Sequence, residues 1–475
     1  MLGSVVRSFR TGPPASRVGL GVPRAVSGVR TGASCRRTGQ DALRRGRSPR
    51  PGPGCAGAPS GGASRSGRAG GVNEFIEAQV SFGWEDLRSS YDVVIVGGGG
   101  HGLSTAYHLA TRHGITNVAV LERGYIGSGN SGRNTTIIRA NYGIPEAVRF
   151  YQRSVDLYSR LEEETGRWIM HDRKGLLWLV HGTPGTRHER ARSIVNQAFG
   201  ADTVYVTPEE VRQICPDVDL NAGGGEFRVT GGSYSPHAAT ARHDRVVWAL
   251  AEGAMKRGVH VHQRAAVTGL LKSGDRVTGV LTDRGPVAAG VVVSAVGGHV
   301  STLAAMAGVR LPIRTHPLQA FVTNHYARSF RPIVASAGMG FYVSQTPRGE
   351  MLLGSAIDRQ PSYSYRSSYE FLSYCSLPAV TLLPFLRNLT ILRQWAGVCD
   401  MSVDMSPIMG YTGVDGFLVT TGWGTWGFKG IPAGGEQMAE LIATDRTPEL
   451  IAPFSLNRFK EDRLLFDPGS TGTTH

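Results

Sequence analysis

A short, continuous apolar run, Tyr91–Val96, is the first strong secondary-structure signal along the chain, and glycines follow it directly. Such a run is typical of a strand buried on both faces of a parallel sheet. Leu103–His113 is predicted to be a helix, and the apolar run Asn117–Glu122 a second buried strand. Strand, glycine-rich turn, helix and strand in this order predict a βαβ unit.

A second group of elements is predicted in the middle of the chain. A helix is expected to begin at Asp244, because aspartate is a favoured N-cap residue. The strands expected after it are Val259–Val261, Ala266–Leu271, Arg276–Thr282 and the buried Gly290–Val296. Shorter alternating strands, such as Gly340–Ser344 and Met351–Leu353, are expected to form an antiparallel sheet of a second domain.

These elements predict an α/β fold in which a Rossmann-type nucleotide-binding domain is interleaved with an antiparallel-sheet substrate domain. The nucleotide-binding domain is expected to be discontinuous, because segments of the substrate domain interrupt it along the chain. The expected segments are 90–165, 232–310 and 395–450 for the nucleotide-binding domain, 166–231 and 311–394 for the substrate domain, and 451–475 for a C-terminal tail.

Residues 1–72 form a leader of different composition, rich in Arg, Gly, Pro and Ser. They hold 13 arginines, no lysine and one acidic residue, so this segment carries +12 of the net charge of +14. Such a segment buries too little apolar surface to offset the entropy of ordering it, which predicts disorder. Two explanations fit. Either the segment lies upstream of the true start codon of a cytoplasmic protein and is included by a wrongly chosen start, or it is a mitochondrial transit peptide.

The rest of the chain is nearly neutral at +2, which argues against nucleic acid as a partner. No apolar stretch approaches the roughly 18 residues needed to span a bilayer, so no membrane partner is expected. The five cysteines lie far apart and include no CxxC pair. Neither a disulfide framework nor a metal site is therefore predicted.

The glycines after the first strand fit the G-x-G-x-x-G fingerprint, with Gly97, Gly99 and Gly102 in its three positions. They permit a tight turn, close approach of the backbone to a pyrophosphate, and close packing of helix on strand. The pyrophosphate would lie at the N-terminus of the helix that begins near Gly102. Glu122 ends the next strand, where a carboxylate accepts hydrogen bonds from ribose hydroxyls and disfavours NADP.

The fingerprint alone leaves FAD and NAD open. The loop Gly127–Ile138 is rich in small and hydrogen-bonding residues that suit an extended ring system, although an ordinary connection has the same composition. Near the C-terminus, Asp415–Glu436 predicts a strand and a glycine-rich turn, and Gly435–Thr444 a helix. This block resembles the last segment of flavoproteins of the D-amino-acid oxidase class, where it meets the flavin ring.

From about Tyr91 to Phe459 the chain resembles the family of beta subunits of heterotetrameric sarcosine oxidases. The resemblance rests on ordered, correctly spaced motifs rather than on one fingerprint. These are GGGGHGLSTAYHLA, GITNVAVLERGYIGSGNSGRNTTIIRANY, ATARHDRVVWA, LRQWAG and GWGTWGFKG.

This resemblance implies two flavins. Noncovalent FAD would be contacted by His101, Gly102, Glu122, Asn130, Ser131, Thr135, Ile137, Val267, Gly424, Gly427 and Lys429. FMN would be attached covalently through His243, in the ARHD motif. From the residues alone, His243 is instead expected to be a solvated histidine at a helix start.

Arg139 and Lys429 are the candidate catalytic residues, because a small amino acid needs cations for its carboxylate. Pairing of Arg139 with a structural acid and solvation of Lys429 are the alternatives. The resemblance implies oxidation of the N-methyl group of sarcosine to glycine and formaldehyde or methylene-tetrahydrofolate, with hydrogen peroxide. The amine must be neutral to react, and nearby cations lower its pKa.

The resemblance also implies alpha, gamma and delta partner subunits in a heterotetramer. Two alternatives remain open from the sequence. One is a single-flavin dehydrogenase of a related secondary amine or imino acid, such as dimethylglycine or a proline-like compound. The other is a noncatalytic FAD-bound scaffold subunit.

Overall fold

The computed structural model describes residues 86–467. The predicted leader, 1–72, and the last residues of the predicted tail, 468–475, lie outside the described residues. Within 86–467 the chain forms eight α-helices. They are α1 (Gly100–Arg112), α2 (Pro145–Thr165), α3 (Gly182–Ala198), α4 (Pro208–Ile214), α5 (His243–Met255), α6 (Val300–Ala307), α7 (Tyr369–Leu382) and α8 (Ile431–Thr444).

The same residues form 19 strands in three sheets. In chain order the strands are β1 (Ser90–Val96), β2 (Val118–Glu122), β3 (Ile137–Ile138), β4 (Asp172–Arg173), β5 (Leu176–His181), β6 (Val204–Val206), β7 (Val229–Ser235), β8 (Ala239–Thr240), β9 (His260–Gln263), β10 (Val267–Ser273), β11 (Arg276–Thr282), β12 (Gly285–Ser294), β13 (Ile313–His325), β14 (Ile333–Ser336), β15 (Phe341–Gln345), β16 (Glu350–Ser355), β17 (Ile391–Ser402), β18 (Ile408–Tyr411) and β19 (Phe417–Thr421).

The first sheet contains a parallel core in the order β9-β2-β1-β12-β19, with β10, β11 and β18 added antiparallel. β1 is central, and Val94 and Ile95 are fully buried because helices or other elements cover both faces of the sheet. The predicted β1, α1 and β2 are thereby confirmed as a βαβ unit. The carboxyl ends of the parallel strands share one edge, which is where ligands bind in such sheets.

Two helices begin earlier than predicted because their glycines support close packing rather than ending a helix. α1 begins at Gly100 instead of Leu103, and α8 begins at Ile431 instead of Gly435. α1 and α8 pack so closely that a Cβ at Gly435 would lie 2.1 Å from Ser104 Oγ. Pro432 stands in the first turn of α8, where a missing N–H is tolerated.

Two further boundaries differ from prediction. α5 begins at His243, with Arg242 as its N-cap, so Asp244 lies in the first turn and is not the cap. The Asp244 carboxylate accepts a hydrogen bond from Arg242 Nε at 2.9 Å. β12 begins at Gly285 rather than Gly290, because a tight hairpin pairs Thr282 with Gly285 and extends the antiparallel ladder.

The second sheet has the order β17-β13-β16-β15-β14-β5-β7-β6. All its pairs are antiparallel except the parallel pair of β14 with β5. α7 packs against this sheet through Phe371, Cys375 and Leu382, which are buried in the same apolar cluster as Phe341 and Leu353. The predicted antiparallel sheet is present, whereas the exact domain boundaries stay a prediction. Among residues 86–467, no helix is both long and apolar enough to cross a membrane.

A buried ion pair ties the end of the described chain to the first sheet. Arg458 donates two hydrogen bonds to the Asp404 carboxylate, at 2.7 and 2.8 Å, and neither residue is more than 1% exposed. Asp404 also accepts from the backbone N–H of Leu465 at 3.0 Å. The pair therefore holds the segment after α8 in place.

Asp404→Asn is expected to lower the free energy of unfolding by about 3–5 kcal/mol, because Arg458 would stay charged in the core without its partner. The midpoint of urea denaturation, followed by tryptophan fluorescence, measures the change. The control is Glu164→Gln, which breaks the exposed pair with Arg112 and should cost less than about 1 kcal/mol. Equal shifts for the two variants would contradict the role of burial.

The same ion pair makes the protein sensitive to acid. Burial alone would raise the pKa of Asp404, but its bonds to Arg458 hold that pKa below the usual value. The stabilisation is therefore complete above the unfolded-state pKa and is lost as the pH falls through the lower folded-state pKa. We expect wild-type stability to fall below about pH 4 by an amount that Asp404→Asn no longer shows.

Candidate cofactor and substrate site

One cavity of about 590 Å³ lies where the parallel strands of the first sheet end, and residues of both sheets line it. The volume is in the range of cofactor and ligand sites, which is roughly 300–1,000 Å³. The predicted site residues on its wall are Gly97, Gly99, His101, Glu122, Asn130, Ser131, Thr135, Ile137, Arg139, Val267, Gly424, Gly427 and Lys429. Gly102 and His243 do not line it.

The three fingerprint glycines have different physical roles. Gly97 has φ +112°, and a Cβ there would lie 2.4 Å from Ala295 O. A Cβ at Gly102 would lie 2.1 Å from Gly97 O, so this glycine permits the close packing of the helix on the turn. Gly99 is open toward the cavity, and a Cβ there would meet only Ser131 Oγ, at 3.3 Å. Gly99 therefore leaves room for a phosphate group to approach the backbone.

Glu122, at the end of β2, has a second role that the sequence pattern did not indicate. Its two carboxylate oxygens accept hydrogen bonds from Gly98 N at 2.9 Å and Gly124 N at 2.7 Å. The carboxylate thus orders the turn after β1 while it also faces the cavity. Its remaining lone pairs are free for ribose hydroxyls.

Polar side chains of the following loop fix it against other elements. Asn130 accepts from Val398 N at 2.8 Å and donates to Val398 O, which joins the loop to β17. Ser131 Oγ accepts from Gly100 N at 2.9 Å, and Thr135 Oγ1 donates to Tyr342 OH at 3.2 Å. These bonds fix the position of the loop. Asn130 and Ser131 therefore stabilise the cavity wall through their hydrogen bonds to other parts of the protein.

His101 connects the glycine turn to the C-terminal turn. Its ring stacks on Trp423, with centroids 3.8 Å apart, and its Nε2–H donates to Gly427 O at 2.9 Å. Burial lowers the pKa of His101 to about 3, so the ring is neutral. Nδ1 carries a lone pair and has no hydrogen-bond partner among the described residues. The sequence analysis missed Trp423, although its place beside Gly424 was a signal.

Arg139 and Lys429 lie at the same end of the cavity, and both are buried, with 6% and 8% exposure. Arg139 donates to Asn141 O and Oδ1 at 3.0 and 2.9 Å. Lys429 Nζ donates to Thr425 O at 3.1 Å. Within residues 86–467 neither cation forms an ion pair with an acid. The structure thus contradicts both alternatives, an acid paired with Arg139 and a solvated Lys429.

Aromatic rings hold the Arg139 guanidinium in place. Its central carbon lies 4.4 Å from the centroid of Tyr142 and 5.4 Å from that of Trp178. Trp178 comes from β5 of the second sheet, and no local motif marked it as a site residue. A planar guanidinium held between rings keeps its remaining N–H groups directed at a ligand.

His243 lies apart from this cavity, in a second buried polar cluster that we call the His243 cluster. It contains His171, Thr240 and His243, and one polar atom of each (Nε2, Oγ1 and Nδ1) is buried without a hydrogen-bond partner in the described chain. β8 pairs with β4 and Arg242 N donates to Ile169 O at 2.8 Å, which brings the two segments together. His243 is half-buried rather than fully solvated, and this burial lowers its pKa.

The residues of the main cavity fit a flavin dinucleotide. α1 directs its N-terminal N–H groups at the cavity, and Gly99 leaves room for a phosphate. Two buried polar atoms, His101 Nδ1 and Thr425 Oγ1, have no partner in the described residues and are available to a bound group. Both sheets contribute to the wall, so a long cofactor can be enclosed between them.

Comparison with known proteins agrees with this arrangement. The fold and site define a FAD-dependent oxidoreductase, and residues 92–441 match the model of the FAD dependent oxidoreductase (DAO) family. The chain belongs to this family. FAD is its cofactor, and the predicted α/β fold with a Rossmann-type domain and an interleaved antiparallel sheet is confirmed.

Relatives with known names extend over most of the chain. A sarcosine oxidase subunit beta from Arthrobacter sp is 43% identical over 390 residues, which cover 82% of this chain and 96% of that protein. One from Rhodobacter capsulatus is 39% identical over 399 residues, with coverages of 83% and 96%. These relatives confirm the resemblance seen in the sequence. L-Proline dehydrogenase from P. horikoshii superposes with a TM-score of 0.75 and 30% identity, covering 80% of this chain and all of that chain.

Gly99→Ala is expected to fold normally but to weaken FAD binding at least about tenfold, because a methyl group would occupy the space of the closest phosphate contact. Titration of apoprotein with FAD, followed by flavin fluorescence, measures this. Gly269→Ala is the control, since its methyl group would make only ordinary contacts with Leu281 outside the cavity. Unchanged affinity in Gly99→Ala would place the phosphates elsewhere.

Proposed function

We propose that this chain is the catalytic beta subunit of a multi-subunit sarcosine oxidase. It would oxidise the N-methyl group of sarcosine, yielding glycine and formaldehyde or methylene-tetrahydrofolate, with hydrogen peroxide. The observation that carries the proposal is the pair of buried cations, Arg139 and Lys429, which face the cavity without an acidic partner in the described chain. A small carboxylate is the ligand that such a pair favours.

The protein residues bind and orient the substrate, whereas the flavin, when bound, supplies the electron acceptor for the C–H bond. Arg139 is fixed by Asn141 and two aromatic rings, so a bound carboxylate has a defined position. Lys429 holds the other side of that carboxylate. Fixing one end of a molecule as small as sarcosine also fixes its methyl group, which is an orientation effect.

A scaffold subunit without catalysis is disfavoured on energetic grounds. Burying the permanently charged Arg139 guanidinium without a counter-ion, next to the basic Lys429, costs several kcal/mol in the empty protein. A scaffold gains nothing from this cost, whereas a carboxylate-binding site recovers it when the substrate arrives. The residues named above from the cavity wall are accordingly proposed as the noncovalent FAD contacts.

We further propose that FMN is attached through His243. The His243 cluster supports this, because it provides unpartnered polar atoms and a neutral ring nitrogen, His243 Nδ1. Of the basic side chains on the paired segments, Lys174 and Arg242 form ion pairs with Asp172 and Asp244, which leaves Arg173 as the candidate contact for a phosphate. Alpha, gamma and delta subunits would complete the enzyme in the cytoplasm, with mitochondria as the alternative location.

A second candidate substrate class is favoured by one solved structure. The superposition on L-proline dehydrogenase extends over that whole chain, so a cyclic secondary amino acid is an alternative to sarcosine. The carboxylate clamp would serve both substrates equally. Their relative rates of flavin reduction distinguish the two, and faster reduction by L-proline would favour a single-flavin dehydrogenase.

Arg139→Met and Lys429→Met are each expected to lower kcat/KM for sarcosine by about 100-fold or more, because each removes a buried charge contact to the carboxylate. Bound FAD, read from its absorbance, should be retained. The control is Arg149→Met, at an exposed position of α2 that contacts Phe199 outside the cavity. Unchanged turnover in both site variants would contradict the proposed clamp.

Acid precipitation of the purified protein, co-expressed with candidate partner subunits, tests the attachment of FMN. We expect FAD in the supernatant and a flavin mass on the peptide that contains His243. The matched variant His243→Asn should lose the covalent flavin while the FAD content stays unchanged. Flavin found only in the supernatant of the wild type would favour the single-flavin alternative.

A further inference from the structure

Lys429 has surroundings that are unusual for a charged lysine. Its Nζ has one hydrogen-bond acceptor in the described chain, Thr425 O at 3.1 Å, so two of the three donors of an ammonium group would be unused. No acid of residues 86–467 forms an ion pair with it. The charged group that acts on Lys429 within the site is the Arg139 guanidinium. It is always protonated, so it disfavours a second positive charge on the lysine.

The other ionisable groups around Lys429 do not supply the missing negative charge. On β17, burial raises the pKa of the Cys399 thiol, which is therefore neutral. Asp400, on the same strand, has its carboxylate bonded to Thr421 Oγ1 at 2.8 Å and Trp423 N at 3.3 Å. On α1, His101 is neutral, and on α2 the Tyr158 hydroxyl donates to Phe428 O.

Burial, followed by the charge of Arg139, places the pKa of Lys429 well below its usual value. Before substrate binds, these surroundings therefore favour the uncharged amine form of the lysine, which has a free lone pair. An anion that enters beside Arg139 reverses this preference, because an opposite charge favours the ammonium form. The protonation state of Lys429 is thus coupled to occupancy of the carboxylate site.

The substrate brings the proton that this change needs. An N-methylated amino acid in water is a zwitterion, with a carboxylate and an ammonium group. Its nitrogen must lose one proton before oxidation, since the lone pair has to be free. The carboxylates of Glu122 and Asp400 also line the cavity, but their oxygens already accept hydrogen bonds from protein N–H and O–H groups. The Lys429 amine, in contrast, gains stability from accepting a proton once an anion lies beside it.

We propose that Lys429 accepts the ammonium proton of the incoming amino acid and then, as an ammonium group, binds the carboxylate of the same molecule. This inference rests on the proposed function. One N–H bond of the substrate breaks and one N–H bond of Lys429 forms, while the electron pair stays on the substrate nitrogen. No proton is exchanged with solvent, and nothing is oxidised or reduced in this step.

The test compares ligands with and without a proton to give, using the FAD-loaded protein. Methoxyacetate has the carboxylate but no ionisable amine, so its binding must draw a proton from solvent to Lys429. Titration calorimetry in two buffers of different ionisation enthalpy should show uptake of about one proton per site by the wild type. Lys429→Arg, which keeps a permanent charge, should bind methoxyacetate with no proton uptake.

Anaerobic stopped-flow reduction by saturating sarcosine supplies the second readout. In the wild type the proton moves to Lys429 within the site, so the rate should depend little on pH. In Lys429→Arg the proton has to leave the site, so the rate should fall by about tenfold per pH unit below the pKa of the bound amine.

The outcomes separate this inference from the proposed function. No proton uptake by the wild type, with methoxyacetate binding lost in Lys429→Met, would overturn the inference and leave the carboxylate clamp intact. Equal uptake in the wild type and Lys429→Arg would assign the proton to another group and also overturn it. Tight methoxyacetate binding by Lys429→Met would overturn the clamp, and with it the proposed function.

Discussion

Two buried basic side chains at one site, Arg139 and Lys429, set the main physical demand on this fold. Neither has an acidic partner in the described chain, so their positions must be held by packing and by hydrogen bonds to neutral groups. Asn141 and the ring of Tyr142 hold Arg139. The turn that carries Lys429 is held by α2, where Ser154 donates to Lys429 O at 2.6 Å. In the proposed function, the substrate carboxylate supplies the negative charge that no protein acid provides in the described chain.

The enclosed site depends on contacts that join the two sheets and the two glycine-rich turns. Asn130 joins the loop after β2 to β17 of the second sheet. His101 joins the turn after β1 to the turn before α8, through Gly427 O and the face of Trp423. A flavin and its substrate would therefore lie between elements that are far apart in sequence and rigidly connected in space.

The His243 cluster shows how burial changes the chemistry of a residue type. A histidine at an exposed helix start would be solvated and would titrate near its ordinary pKa. At the start of α5 the ring is instead half-buried, burial lowers its pKa, and Nδ1 has no partner in the described residues. The proposed attachment of FMN rests on this environment.

The residue pattern was sufficient for the βαβ unit, the glycine turn and Glu122, because these depend on periodicity and on steric rules that act within about 30 residues. It favoured Arg139 and Lys429 as carboxylate-binding candidates over the alternatives of a paired arginine and a solvated lysine. The stacking of His101 on Trp423 and the placement of Lys429 against α2 follow from packing between segments far apart in the chain. The rings around Arg139 come from Tyr142 and from β5 of the second sheet. No local pattern reports either arrangement. The early starts of α1 and α8 have the same origin, since glycine weakens a helix locally and only close helix packing offsets that cost.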